Sequence, residues 1–262
     1  MNIPKAYRRF PEASFSVPAM PDGVRVVRCD HDWGPATKVL PTMIDHAGTR
    51  QPIVYCDDDH VFHRNWLKNM VAESRRHPDQ CIANAGWDLD KLGLHVRRTG
   101  DAPPRAVLMH SLWDVPYRFQ RIRQKRLERK AGRMLPKPNR TWKFWRPGAV
   151  DIMEGFGGVL VKPDFFPPQV FDIPDRIWAV DDIWLSGMVA LNGGTIRGFN
   201  GHLPMAQEHA PDGSLDALDH ALGTATIDGL NRREANMECV RYLQAHYGVW
   251  QEEPVFPVVS SL

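Results

Sequence analysis

Three consecutive aspartates, Asp57, Asp58 and Asp59, close the apolar run Ile53-Val54-Tyr55-Cys56, and His60 and a helix-like stretch follow at once. A short β-branched and aromatic run reads as a buried strand. Its far end must open to a surface or a cleft, because burying an unpaired carboxylate is costly enough to force its protonation. Carboxylates packed this closely repel one another, and a bound Mg²⁺ or Mn²⁺ is the usual way to make such a cluster favourable. For an isolated triplet a solvated acidic turn or a helix N-cap is the plainer reading.

The flanking sequence alternates strand-like and helix-like segments. Strands are expected over 24–29, 53–56, 81–85, 157–161 and 195–198. Helices are expected over 35–46, with a proline in the first turn, over 65–77, with Asn65 as N-cap, over 182–191, stopped by Gly193 and Gly194, and over 230–247. This alternation predicts a layered α/β fold with a mainly parallel sheet. Ligands of such sheets bind beyond the carboxyl ends of the strands, which is where the aspartates fall.

With 262 residues, 43% hydrophobic and 24% charged, the chain suits a single domain over 1–262. No stretch approaches the roughly 18 apolar residues of a membrane span, and the first ten residues lack an apolar signal core. The expectation is a soluble, cytoplasmic protein. The four cysteines form no CxxC pair and no zinc spacing, which fits free thiols in a reducing compartment.

Net charge is +2, but residues 118–146 hold twelve Lys/Arg against one acid, Glu128. That local excess of +11 leaves about −9 for the rest of the chain. The basic stretch lies in an insertion at about 114–148, whose first half reads as a basic helix and whose second half, with Pro136 and Pro138, reads as a loop. An acidic membrane surface, an anionic acceptor or nucleic acid would each satisfy it, as would a solvated helix face. No nucleic-acid-binding motif is present, so nucleic acid is not an expected partner.

Two further clusters carry chemistry. Gly34-Pro35-Ala36-Thr37-Lys38 is a turn entering a helix, whose open N–H groups and lysine suit an anion. Later, Asp151-Ile152-Met153-Glu154-Gly155-Phe156-Gly157-Gly158 feeds a strand, and Ala179-Val180-Asp181-Asp182 opens a helix. Helix N-termini attract aspartate for capping and dipole reasons alone. Together with the triplet, however, the pair supplies the two functions of a metal-assisted group transfer, one set of carboxylates holding the cation and the other accepting a proton.

In this order, GPATKVLP, IVYCDDDHVFHRNWL, VDIMEGFGGVLV and AVDDIWLS resemble the GT-A fold glycosyltransferases, and more narrowly the bacterial family 2-type enzymes of polysaccharide biosynthesis, over roughly residues 24–200. The resemblance implies a GT-A, Rossmann-like sheet flanked by helices and a nucleotide-sugar donor. It further implies that Mn²⁺ or Mg²⁺ bridges the donor's diphosphate to the DxD-type aspartates, here Asp57 and Asp59, with Asp58 between them beside the donor. A catalytic carboxylate is implied at AVDDIWLS, with Asp182 favoured as base and Asp181 raising its pKa, and inverting chemistry is inherited with it. Lys38 and Gly34 are expected to meet phosphate, Gly155, Gly157 and Gly158 to let substrate approach the backbone, and His209 to supply a third metal ligand.

Family members carry a nucleoside-pocket strand before the region that here begins at Val24, and only some twenty proline-broken residues stand there. The expectation is therefore an amino-terminally incomplete fold. The expected function is transfer of a sugar from a nucleotide-diphosphate sugar to a glycan or glycolipid acceptor, with peripheral contact to the anionic inner face of a membrane. Two alternatives use the same residues: a metal-dependent phosphoesterase, for which His60, His63 and His209 are available, and a non-catalytic transferase-like scaffold on anionic surfaces.

Overall fold

A computed structural model describes residues 1–8, 20–57, 62–98, 102–109, 113, 115–132, 144–201 and 229–252. Five short strands, β3 (Ile53–Tyr55), β4 (Gln80–Ala83), β8 (Gly148–Val150), β10 (Val159–Val161) and β11 (Thr195–Gly198), form the central sheet in the order β3-β10-β4-β11-β8. Only β4 and β11 run parallel, and the other three pairings are antiparallel. The α/β class is as expected, but the sheet is mixed rather than mainly parallel. β10 slots between β3 and β4 in the opposite sense, and β8 does the same at the other edge beside β11.

Alternation along each strand divides the core between the two faces of the sheet. Ile82 of β4 and Leu160 of β10 meet Trp66 and Met70 of helix α2 (Trp66–Arg76) on one face. Cys81, Ala83, Val159 and Val161 face the other way, into the larger core that holds Ile183, Trp184 and Met188 of helix α4 (Asp181–Leu191). Both faces are covered, which is why these strands read as unbroken apolar runs. Trp66 and Trp184 are packed core side chains.

Helix α5 (Arg232–Tyr247) packs on α4, with Leu243 against Gly187, and begins with a capping box in which Asn231 accepts from the Glu234 N–H and Glu234 accepts from the Asn231 N–H. Asn65 stands at the N-cap position of α2, but its side chain makes no cap bond. The helix expected over 35–46 is split into a 3-10 turn, Gly34–Lys38, and a short α1 (Leu40–Asp45). Pro41 has no N–H and its ring crowds the carbonyl four residues back, so one helix cannot run through.

Smaller pairings complete the frame. β1 (Asn2–Pro4) runs parallel to β2 (Val27–Cys29), placing a strand in the first residues, where none was expected. β5 (Gly86–Trp87) pairs antiparallel with β9 (Ile152–Met153). β6 (Val107–Leu108) pairs antiparallel with β7 (Phe144–Arg146), and helix α3 (Val115–Ala131) lies on the excursion between them. Among the described residues no helix is long and apolar enough to cross a membrane.

Candidate active site

Four chain segments converge beyond the end of β3. Asp57 follows the strand, and its N–H approaches the Gly155 carbonyl at 3.4 Å. Lys38 ends the 3-10 turn, Glu154 and Gly155 follow β9, and Asp181 and Asp182 form the first turn of α4. At the centre lies Lys38 Nζ, 2.6 Å from Asp57 Oδ1 and 2.9 Å from Asp181 Oδ2. Asp57 and the aspartate pair of the early 180s therefore share one cluster, tied together by an internal ammonium. Asp58, Asp59 and His209 lie outside the described residues.

Local architecture fixes the second aspartate pair. Buried Ser186, one turn along α4, donates to the Asp182 carbonyl at 2.6 Å and accepts from the Met153 N–H at 3.0 Å, clamping the helix start to β9. The chain leaving β9 then brings the Gly155 N–H to 3.0 Å from Asp182 Oδ1. A Cβ on Gly155 would stand 2.5 Å from Lys38 Nζ and 3.0 Å from Asp57 Oδ1, so glycine is what lets the lysine in.

The other glycines make room for the protein itself. Gly158, at φ +87°, would drive a Cβ to 2.1 Å from the Trp66 ring, and Gly157 packs on Ala85 while its carbonyl accepts from Trp66 and Asn84. Gly34 donates its N–H to Asp32 at 2.7 Å and abuts Trp178. That N–H is therefore engaged inside the fold, and Lys38 meets carboxylates.

The electrostatics follow from crowding negative groups in a dry place. Burial pushes Asp182 well above the ordinary carboxylate range, and Asp181 adds to the rise while Lys38 offsets part of it. The rise expected for Asp182 is present, with desolvation as its larger cause and Asp181 as the second. Burial also acts against the charge on Lys38, but Asp181, Asp182 and Asp57 outweigh it and hold the ammonium protonated. Tyr55, fully enclosed beneath the lysine with its ring 5.7 Å from Nζ, is pushed well up by burial and by Asp182. Among the described residues its hydroxyl has no hydrogen-bond partner.

Asp182 also lines a cavity of about 300 Å³ with Trp87, Lys91, Glu154, Arg232 and Asn236. Glu154 is pushed up to about 7, chiefly by burial, against the pull of Lys91 and a hydrogen bond from Trp87. Among the described residues, Glu154 Oε2 and Asn236 Oδ1 are buried without a hydrogen-bond partner. Asp181 Oδ2, although in ion contact with Lys38, lacks hydrogen-bond geometry as well. The sequence reading did not single out Glu154 as a site residue, although a carboxylate between the apolar pair Ile152-Met153 and a glycine turn was a visible signal. Trp87, Arg232 and Asn236 carried none, because only the tertiary fold gathers them.

Chemically, the site offers a carboxyl group with a raised pKa, held by a backbone N–H on the wall of that cavity, beside a carboxylate–ammonium cluster at a strand end. Such a carboxyl is suited to taking a proton from a substrate hydroxyl near neutral pH. The carboxylate oxygens of Asp57 and Asp181 are hard donors of the kind that Mg²⁺ and Mn²⁺ select. Among the described residues, no group of three His, Cys, Asp or Glu side chains is gathered as a ligand set. Compared with protein-family models, with curated proteins and with solved structures, the chain matches none.

Proposed function

We propose that this protein is a metal-dependent glycosyltransferase of the GT-A type, moving a sugar from a nucleotide-diphosphate sugar to a glycan or glycolipid acceptor with inversion. The observation that carries the reading is the convergence of Asp57, at the end of β3, and Asp181, at the start of α4, on one ammonium, while the adjoining Asp182 lines a cavity.

The oxygen donors fit a hard divalent cation, with Asp57 and Asp59 as the residues that would hold it. The cation supplies Lewis-acid stabilisation of the charge that builds on the departing nucleoside diphosphate. Asp182 removes the proton from the acceptor hydroxyl as its oxygen attacks the anomeric carbon. The Gly155 N–H keeps that carboxyl oriented, and the raised proton affinity matches the base to neutral pH. Lys38 keeps Asp57 and Asp181 close together without net repulsion. Trp87, Arg232 and Asn236 form the wall on the acceptor side.

Calorimetry of nucleoside diphosphates with and without Mn²⁺ tests the donor half of this assignment. Binding should require the metal, and the absence of any metal-dependent binding would overturn it. Asp182→Asn should retain donor binding and lower turnover by about 10²–10⁴-fold, the share of a positioned general base. Full activity in that variant would remove Asp182 from its role. Release of phosphate from model diesters without any sugar transfer would favour a phosphoesterase instead.

A further inference from the structure

Helix α3 is the most basic element of the chain, with seven Lys/Arg against the single Glu128. Among its described side chains, the apolar ones are exposed. Val115, Phe119 and Ile122, spaced four and three apart, stack along one side of the helix, and they are 55%, 69% and 51% exposed. Gln124 lies nine residues on from Val115, half a turn round the axis, and is buried. The helix thus turns a polar side chain inward and its apolar stripe outward. Arg126 falls on the stripe, Arg123 and Arg129 flank it, and all three are exposed. Trp113, just before the helix, is 72% exposed.

We propose that the outward side of α3 docks this protein on an anionic lipid bilayer, the helix lying in the plane of the interface. The charge is complementary to acidic headgroups, and the long arginine side chains can lie along the apolar stripe with their guanidinium groups raised to the headgroup level. Phe119, Ile122 and Val115 then enter the acyl boundary, and Trp113 suits the interface in which an indole is favoured. A nucleic-acid groove would use the same arginines but has no use for an exposed Phe–Ile–Val row.

Co-sedimentation of the full chain with vesicles tests this. Equal parts phosphatidylglycerol and phosphatidylcholine should bring the protein down, pure phosphatidylcholine should not, and added salt should weaken the binding. Replacing Arg123, Lys125, Arg126 and Arg129 by glutamine should weaken partitioning at least tenfold. Phe119→Ser with Ile122→Ser should weaken it about tenfold at low salt, with an unchanged thermal melt showing that the fold is intact. Equal sedimentation with both lipid compositions, or none with either, would overturn the proposal. So would an apolar double variant that binds acidic vesicles as well as the wild type, or a duplex DNA that binds more tightly than the vesicles do.

Discussion

Glu154 shares with Asp182 the electrostatic cost of the site's burial. Its folded-state pKa of about 7 lies above its ordinary value of 4.5, because burial disfavours the charged form. The folded protein therefore holds a proton that the unfolded chain releases. Stability should be greatest below the unfolded pKa and fall as pH rises through the window from about 4.5 to about 7. Glu154→Gln removes that dependence: urea melts should show the variant gaining about 2 kcal/mol relative to wild type between pH 5 and pH 8, a figure discounted for the group's partial access to solvent. An unchanged difference between the two pH values would mean that the carboxyl is ionised throughout. The same residue shows why some of the site was hard to read in advance. Asp57, Asp181 and Asp182 announce themselves by clustering in sequence, whereas Glu154 becomes a site residue only because β9 carries it under Trp87 and beside Asp182.

Among the elements, α4 is the one whose placement matters most, and Ser186 fixes it. Ser186→Ala leaves the buried Met153 N–H without its acceptor and frees the helix start to shift from Gly155. A loss of about 1–3 kcal/mol in denaturant stability is expected, together with a fall in turnover larger than the fall in donor affinity. Equal losses in both would show that the clamp is structural alone. Elements of this kind were legible: α2, α4 and β11 follow from apolar spacing and from their glycine or proline stops, to within a residue or two. Strands β5, β8 and β9, of two or three residues, are shorter than any period that could reveal them. The direction of β10 was equally hidden, because Val159-Leu160-Val161 has the same pattern whichever way it runs, and the long basic connection before it does not dictate the sense of its return.

Across the whole molecule, one polar hub joins segments that the sequence sets far apart. Asp151, between β8 and β9 and almost fully buried, accepts from the Leu89 N–H at 3.0 Å, from Arg98 at 2.9 Å and from Arg105 at 2.7 Å, while Arg105 also grips Asp88. Asp151→Ala would strip the Arg98 guanidinium and the buried Leu89 N–H of their acceptor and leave Arg105 with Asp88 alone, so a loss of about 3–5 kcal/mol is expected. Hydrogen exchange should then show the 88–105 region opening before the central sheet. Retained protection there would show that the hub is dispensable.

The ribbon of β6 and β7 has a different kind of consequence. Leu108 and Phe144 are cross-strand partners, so the chain departs toward α3 and comes back at almost the same point. Such a junction makes the basic segment a cassette. It can be lengthened, shortened or swapped while the central sheet keeps its strand order.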